Sequence, residues 1–358
     1  MGKRIGIITW HYYPNYGSAL QSYALQTYLE ELGHKVNIID YRDIKYGYIN
    51  KFKFKIKNIM CSLGVRKIRD NNPFLVFQNH YMKLTKMTQM DNELLDLCKD
   101  KDCIICGSDQ IWAPNVFNPI YMLDFLEGDI KKISYAASIG LNNIPSDLVE
   151  TYKEHLSKFD YISVREEAGK NILKKYDIAS IVVLDPTLLN NVKVYEKIEK
   201  KPTEIKYQEY IFCYFLADNH EYKKQVFSYA EAIGIKVIGI SYNKKDSEWM
   251  DILNMIGPCE FLWLIHNAHT VFTDSYHGTI FSLLYHKNFY IFERFKKDNP
   301  INQNTRIYQL DNMFDIEKRI LKNNNIITED NKFDYTDFEK NLDTYRDISY
   351  EFLQEALK

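Results

Sequence analysis

The sequence predicts an α/β protein with two domains, each built on a mostly parallel sheet. First, short apolar runs of strand length alternate with segments whose apolar residues recur at helical spacing. Second, this alternation occurs in two sets, separated by a polar stretch rich in lysine and glutamate at 191–208. Third, 358 residues with 46% apolar content are enough for two domains of ordinary size. We expect the two sheets to face a cleft, which is the natural ligand site in such a chain.

The first domain is predicted to span residues 1–190. RIGIITW (4–10) reads as a strand, SALQSYALQTYLEELG (18–33) repeats apolar residues at helical spacing, and KVNIIDY (35–41) reads as the next strand. This is a β-α-β unit of the parallel kind. The alternation of strands and helices resumes later, with predicted strands at 103–108, 132–140, 161–164 and 181–186, and helices at 146–159 and 165–176.

Residues 43–90 interrupt this rhythm and are predicted to form a helical insertion. In KYGYINKFKFKIKNIMCSLGVRKIR, lysine alternates with tyrosine, phenylalanine and isoleucine. We favour a solvated helical insertion. The alternative is a peripheral contact with an anionic surface, such as a membrane or a charged glycan.

The second domain is predicted to span residues 209–325, after a linker at 191–208. Its predicted strands lie at 210–217, 236–242, 270–275 and 288–293, and its helices at 220–234, 260–269 and 279–286. The tail at 326–358 is predicted to be helical and to pack back on the domain junction.

Composition excludes several classes of protein. A formal net charge of −2 does not indicate a nucleic-acid partner. The six cysteines suggest no disulfide framework, and Cys103-x-x-Cys106 lies in an apolar run with no second pair to complete a zinc site. We therefore expect no metal. No segment reaches the ~20 apolar residues of a membrane span. We expect a cytoplasmic protein, with a position at the inner face of the membrane as the alternative.

The stretch VFTDSYHGTIFSLLY (271–285) predicts a ligand-binding turn between a strand and a helix. The first N–H groups of a helix are unpaired and attract phosphate or carboxylate. Gly278 would let a ligand approach the backbone, and His277 would contact an anion or move a proton. We include Ser275 and Thr279 of the same turn as candidate substrate-binding residues. The alternative is a capping turn with a hydrogen-bonded histidine.

Three further loops follow predicted strands and carry polar side chains. Asn15 and Gly17 suit a tight turn before the first helix. Asp109, in CGSDQIW, is a candidate acid or base in a cleft, and its alternative is a turn carboxylate. Arg165 falls at a strand end, where it would bind a carboxylate or phosphate with two hydrogen bonds or pair with a nearby acid.

Together these loops resemble the polysaccharide pyruvyl transferase family. The order and spacing of the motifs match over residues 4–310. The stretches that carry the resemblance are TWHYYPNYGSALQSYALQTYLEELGH, CGSDQIW, SYAASIG, DYISVREE, VVLDPTLL and TDSYHGTIFSLL.

The resemblance implies two Rossmann-like domains, similar to the GT-B glycosyltransferase fold. It also implies transfer of a pyruvyl group from phosphoenolpyruvate to two hydroxyls of one sugar, forming a cyclic ketal on a surface polysaccharide or its precursor. The expected partners are phosphoenolpyruvate and a sugar or lipid-linked glycan acceptor, with no cofactor besides the donor substrate.

The resemblance also assigns roles to particular residues. The arginine, histidine and lysine of the family's phosphoenolpyruvate site fall on Arg165, His277 and Lys297, or its neighbour Lys296. FERFKKDN lacks the family's usual proline before the lysine. From its position we expect Asp109 to orient or deprotonate an acceptor hydroxyl, and Arg306 to add an anion contact, unless it forms a surface ion pair.

Two other functions use the same fold. One is a glycosyltransferase in which the His277 turn binds the diphosphate of a nucleotide sugar, since a fold does not by itself determine a function. The other is a non-catalytic protein that binds or assembles glycans.

Overall fold

The computed structural model describes residues 2–43, 72–217, 220–241, 244–295, 299, 302–321, 327 and 332–358. Most of the predicted insertion at 43–90 lies outside the described residues. Of the part that is described, Pro73–Tyr81 is helical, and two isolated bridges pair Leu84 with Ile38 and Thr88 with Tyr41.

Over the described part of the chain, the first sheet contains six strands, all paired in parallel. They are β1 Arg4–Ile8, β2 Lys35–Ile38, β3 Cys103–Cys106, β4 Lys131–Ala137, β5 Tyr161–Val164 and β6 Ile181–Val182. Its helices are α1 Tyr16–Glu31, α2 Pro73–Tyr81, α3 Asp91–Cys98, α4 Val149–Leu156, α5 Glu167–Lys174 and α6 Pro186–Leu189. The strand order is β2-β1-β3-β4-β5-β6. The order therefore reverses between β1 and β3, which makes that gap a topological switch point.

The second sheet also contains six parallel strands among the described residues. They are β7 Ile211–Tyr214, β8 Val237–Ile240, β9 Asp251–Ile252, β10 Thr270–Thr273, β11 Asn288–Phe292 and β12 Ile320–Leu321. The helices from here to the end of the chain are α7 Lys193–Glu196, α8 His220–Ile233, α9 Pro258–His266, α10 Tyr276–Leu284, α11 Thr305–Phe314 and α12 Thr336–Ala356. The order β12-β11-β10-β7-β8-β9 reverses between β7 and β10.

The predicted α/β architecture is confirmed, and its physical basis is visible in the central strands. β3 (CIIC) and β10 (TVFT) are buried at every position. Strands covered by helices on both faces read as unbroken apolar runs, which is the pattern that the sequence carries.

Several elements differ from the sequence-based prediction. The helix predicted at 146–159 is limited to α4, and the strand predicted at 181–186 pairs only over β6. That strand ends early because Asp185 caps α6, whose first residue is Pro186. α3 and α11 were not predicted.

The segment predicted as a linker packs against the rest of the protein. It contains α7, and Tyr195 within α7 is fully buried and donates its hydroxyl to the carbonyl of Thr187 at 2.8 Å. The domain boundaries at 190, 208 and 325 stay predictions.

We call the first sheet with its helices the first unit, and the second sheet with its helices the second unit. An apolar interface joins the two units. Tyr16 of α1 stacks on Phe261 of α9 with ring centroids 4.4 Å apart, and its hydroxyl donates to the carbonyl of Ile256 at 3.0 Å. α12 crosses from one unit to the other. Its Arg346 donates to the carbonyl of Leu188 at 2.9 Å, and its Phe338 packs edge-on against a phenylalanine of α11.

Among the described residues, none of the helices combines the length and the apolar character that a membrane crossing requires.

Candidate active site

A cavity of about 300 Å³ lies at the carboxyl ends of both sheets. In the first unit, the segments after β1 and β3 contribute Trp10 and Asp109 to its lining. In the second unit, the segments after β7 and β10 contribute Leu216 and Ser275. Ligands of doubly wound sheets bind outside the carboxyl ends of the strands, at the switch point. The topology of both sheets therefore makes this cavity the expected ligand site.

The turn before α10 is held by side-chain caps. Ser275 is the N-cap residue, and its hydroxyl accepts from the N–H of Gly278 at 3.3 Å. Thr279 donates its hydroxyl to the carbonyl of Ser275 at 3.1 Å. Ser275 lines the cavity, whereas Gly278 and Thr279 do not. A Cβ at Gly278 would meet Oγ1 of Thr273 at 2.5 Å, so packing within the protein already requires glycine here, and the approach of a ligand to this backbone stays a prediction.

The ring of His277 packs directly on the start of α1. A Cβ added to Gly17 would lie 2.0 Å from Nδ1 of His277 and 2.6 Å from its Cε1. Gly17 was predicted to bind substrate, but it does not line the cavity. Its lack of a side chain is what makes room for the imidazole of His277.

The cavity lies at the N-termini of two helices. Asn15 caps α1, where its Oδ1 accepts from the N–H of Ser18 at 3.1 Å. Ser275 caps α10, and both capping residues line the cavity. Both helix dipoles therefore present their positive ends to a bound ligand, which favours an anion.

A buried carboxylate, Asp185, connects His277 with Arg165. Its Oδ2 accepts from Nη1 of Arg165 at 3.0 Å and lies 3.4 Å from Nε2 of His277. Its Oδ1 accepts from the N–H and the hydroxyl of Thr187 at 3.0 and 2.7 Å. Burial alone would raise the pKa of Asp185, but His277 and Arg165 outweigh it and hold this pKa below the usual range of aspartate. Nε2 of His277 thus faces Asp185, while Nδ1 is the ring atom nearest to Gly17.

Arg165 is 2% exposed and does not line the cavity. Its guanidinium lies over the ring of Tyr276, 4.6 Å from the centroid, and its Nε lies 3.7 Å from Oε2 of Glu166. Tyr276, unlike Arg165, lines the cavity. These contacts are those of an arginine paired with nearby acids, and a direct contact between Arg165 and a ligand stays a prediction.

Two arginines bring positive charge to the cavity wall. Arg306 was predicted there, and Arg294, which follows β11, was not. Within the described residues, neither guanidinium forms a salt bridge with a carboxylate. Arg306 donates to Oε1 of Gln303 at 2.8 Å, and Arg294 donates to the carbonyl of Asp274 at 3.4 Å. Burial, together with the charges of Arg165 and Arg294, lowers the pKa of Arg306 to about 10. A bound anion would offset this unfavourable concentration of positive charge.

Asp109 lines the cavity, and both of its carboxylate oxygens are held in place. Oδ2 accepts from the hydroxyl of Ser18 at 2.5 Å, and Oδ1 accepts from the N–H of Gln110 at 2.9 Å. Its φ of 70° lies in the left-handed region, which aspartate tolerates better than most residues. The two bonds leave further lone pairs on the carboxylate for a ligand hydroxyl.

Some residues of the candidate site could be located from the sequence, and others could not. Lys296 and Lys297 lie outside the described residues, so their part in the site stays a prediction. Arg294 could have been found from its position directly after an apolar strand, as Arg165 was. Asp185 follows another strand and precedes Pro186, which is the pattern of a helix cap. That pattern does not reveal the contact of Asp185 with His277.

The described residues contain no group of three or more His, Cys, Asp or Glu side chains arranged to hold a metal ion. Cys103 and Cys106 are free thiols buried in β3, and burial raises the pKa of both. Thiols in that state are poor metal ligands and poor nucleophiles.

Comparison with solved structures shows the fold. UDP-GlcNAc 2-epimerase from Methanocaldococcus jannaschii superposes with a TM-score of 0.51 at 14% identity, over 97% of this chain and 99% of that one. The Rickettsia bellii epimerase gives 0.53 at 9% identity, over 99% and 97%. The Neisseria meningitidis epimerase bound to UDP-GlcNAc gives 0.51 at 12% identity, over 99% and 100%. The expected likeness to the GT-B fold is therefore confirmed, and at these identities it shows the fold alone.

Comparison by sequence shows the family. A search of curated proteins finds no match to the chain. The family model described as polysaccharide pyruvyl transferase matches residues 15–294. That span begins at the cap of α1 and ends at Arg294, so it includes the cavity residues of both sheet units between those two positions. The chain therefore belongs to the polysaccharide pyruvyl transferase family.

Proposed function

We propose that this protein transfers a pyruvyl group from phosphoenolpyruvate to two hydroxyls of one sugar in a surface polysaccharide or its precursor. The observation that carries the proposal is the cavity face formed by His277, at the start of α10, together with Arg294 and Arg306. Phosphoenolpyruvate has a carboxylate and a phosphate, and preorganised cations and helix N-termini are the groups that hold such an anion. Family membership supports a transferase acting on a glycan.

Arg294 and Arg306 are assigned to neutralise the donor. Neither guanidinium has a carboxylate partner within the described residues, so each keeps hydrogen-bond donors for phosphate or carboxylate oxygens. Arg165 is assigned a supporting role, because it lies against Tyr276 and Asp185 and not at the cavity. Lys296 or Lys297, which follow Arg294 in the chain, remain candidates for a further contact with the donor.

His277 is assigned to proton transfer. Asp185 lies beside its Nε2, and the imidazole would deliver a proton to the methylene carbon of phosphoenolpyruvate, which becomes the methyl group of the product. Protonation leaves the central carbon electrophilic. One sugar hydroxyl then forms a C–O bond to that carbon and gives up its proton, for which Asp109 is the candidate base.

The second hydroxyl completes the ketal. Its oxygen forms the second C–O bond as the bond to phosphate breaks, and its proton leaves with the phosphate. Over the whole reaction, one hydroxyl proton replaces the proton used on the methyl carbon and the other leaves with inorganic phosphate. No electrons are gained or lost, so the scheme requires no redox partner.

Calorimetric titration with phosphoenolpyruvate tests the donor site. Arg306→Gln is expected to weaken the affinity by roughly 10- to 100-fold, the usual effect of losing a charged hydrogen-bond donor. Arg4→Gln is the matched control, because it removes the same charge from an exposed pair with Asp102 and should bind like the wild type. Equal affinity in all three proteins would contradict the proposal. Binding of UDP-GlcNAc instead of phosphoenolpyruvate would favour a glycosyltransferase that uses a nucleotide sugar.

A further inference from the structure

The two faces of the cavity differ in charge. The residues from the second unit include two arginines and a histidine but, among the described residues, no carboxylate: Leu216, Ser275, Tyr276, His277, Arg294 and Arg306. The residues from the first unit include two carboxylates but, over the same described part of the chain, no basic side chain: Trp10, Tyr13, Asn15, Ser18, Asp43, Asp109, Gln110, Val116 and Tyr121. We call these the second-unit face and the first-unit face.

Aromatic rings form much of the first-unit face. Trp10 makes edge contacts with Tyr13 and Tyr121, at centroid distances of 5.7 and 6.4 Å. Tyr12 packs on Tyr13 with the ring planes tilted by 31° and the centroids 4.2 Å apart, and its hydroxyl donates to that of Tyr13 at 2.7 Å. Rings fixed in this way present a rigid apolar surface that loses little entropy when a ligand packs on it.

The carboxylates on this face are also held by neighbouring groups. Oδ2 of Asp43 accepts from Nδ2 of Asn118 at 2.6 Å, and the oxygens of Asp109 accept from Ser18 and Gln110. The hydroxyl of Tyr121 has no hydrogen-bond partner within the described residues, although the residue is only 1% exposed. Tyr121 lines the cavity, and a buried hydroxyl without a partner is suited to bonding a polar group of a ligand.

We propose that the first-unit face is the acceptor subsite and that it selects one neutral pyranose ring. The ring would pack its C–H face on Trp10 and Tyr13 and donate its hydroxyls to Asp43 and Asp109. This inference rests on the proposed function, since it places the acceptor beside the phosphoenolpyruvate site. Carboxylate acceptors favour hydroxyl donors and repel a uronic acid, whose own carboxylate would be buried next to two like charges.

The size of the cavity suits small ligands. About 300 Å³ is at the lower end of the roughly 300–1,000 Å³ of ligand pockets. Phosphoenolpyruvate and one sugar ring would contact its two faces. Asp109 belongs to the first-unit face, yet it interacts electrostatically with Arg306 of the second-unit face. Asp109 therefore lies where a hydroxyl of the acceptor would meet the donor.

Saturation-transfer NMR on the full chain, without phosphoenolpyruvate, tests the subsite. The probes are the methyl glycosides of glucose, galactose, mannose and N-acetylglucosamine, with methyl glucuronide as the anionic counterpart. At least one neutral glycoside is expected to bind, and Tyr13→Leu should weaken it by about 3- to 10-fold, the range of an aromatic contact. Tyr13→Phe keeps the ring and should bind the glycoside more tightly than Tyr13→Leu, whereas Tyr350→Leu, a control on the partly exposed Tyr350 of α12, should bind like the wild type.

A separate variant, Asp43→Asn, tests the preference for neutral over anionic sugars. Asp43→Asn is expected to weaken the neutral glycoside and strengthen methyl glucuronide, whereas Asp129→Asn, at an exposed loop position, should change neither. Absence of binding by every neutral glycoside, or equal binding by wild type and Tyr13→Leu, would overturn the subsite. So would a wild type that prefers the glucuronide. A wild type that binds a neutral glycoside but not phosphoenolpyruvate would reject the proposed donor and leave the acceptor subsite supported.

Discussion

Asp185→Asn is expected to lower the free energy of unfolding by about 3–5 kcal/mol, the usual cost of removing one partner of a buried ion pair. Asparagine has the same shape and can still accept from Thr187, but it removes the negative charge that faces Arg165 and His277. Among the described residues, the carboxylate left within salt-bridge distance of Arg165 would be that of Glu166, at 3.7 Å. His277 would lose the group that orients its Nε2, so turnover should fall together with stability. Urea denaturation and steady-state kinetics would measure the two effects.

The pH dependence of the stability difference between wild type and Asp185→Asn follows from the direction in which the pKa of Asp185 is shifted. In the folded protein His277 and Arg165 hold the pKa of Asp185 below its unfolded value of about 3.9. The stabilisation is therefore fully present above about pH 4 and is lost as the pH falls through the folded-state value. The difference between wild type and Asp185→Asn should be largest near neutral pH and should shrink in acid.

An exposed pair is the control for Asp185. Asp102→Asn removes the same charge from the exposed salt bridge with Arg4 and should leave stability nearly unchanged. If Asp185→Asn were as stable as Asp102→Asn at neutral pH, the contacts of Asp185 with Arg165 and His277 would not be energetically coupled as described.

Gly17→Ala is expected to displace the ring of His277. The added methyl would lie 2.0 Å from Nδ1, so either the imidazole or the start of α1 has to move. Overpacking of this kind costs about 1–3 kcal/mol, although alanine is otherwise the better helix former by about 1 kcal/mol. We expect reduced stability, weaker phosphoenolpyruvate binding and a shifted His277 imidazole signal in NMR spectra.

Gly169→Ala is the matched control for Gly17→Ala. Gly169 is also in a helix, α5, but a Cβ there would lie 3.6 Å from the nearest atom of Val164, an ordinary contact. This variant should be unchanged or more stable by about 0.4–1 kcal/mol. Equal stability and equal phosphoenolpyruvate affinity of the two variants would show that Gly17 does not make room for His277.

The sequence was most informative where a structural signal is local. β3 and β10 appear as apolar runs because each is covered on both faces, and α1 appears through its helical spacing. Loops at the ends of such strands were recognisable for the same reason, and their candidates Asn15, Asp109, Ser275 and His277 line the cavity, as does Arg306 of α11.

The sequence was least informative where neighbours come from distant parts of the chain. Gly17 looked like a turn glycine, yet its contact is with His277, 260 positions later. Arg165 was predicted either to bind an anion or to pair with a nearby acid, and its contacts with Tyr276 and Asp185 were not foreseen. Periodicity reports which face of an element is buried, but not which side chain of another unit is packed against that face.

The sequence by itself thus determined the two parallel sheets, the strand-end loops and, through its motifs, the family. Tertiary structure decided which residues of those loops reach the cavity and which support them, such as Asp185 behind His277. The physical reason is that strand order and the packing of the two units bring together loops separated by hundreds of residues. The carboxylates of the first-unit face and the basic side chains of the second-unit face come to line one cavity only when both units are in contact.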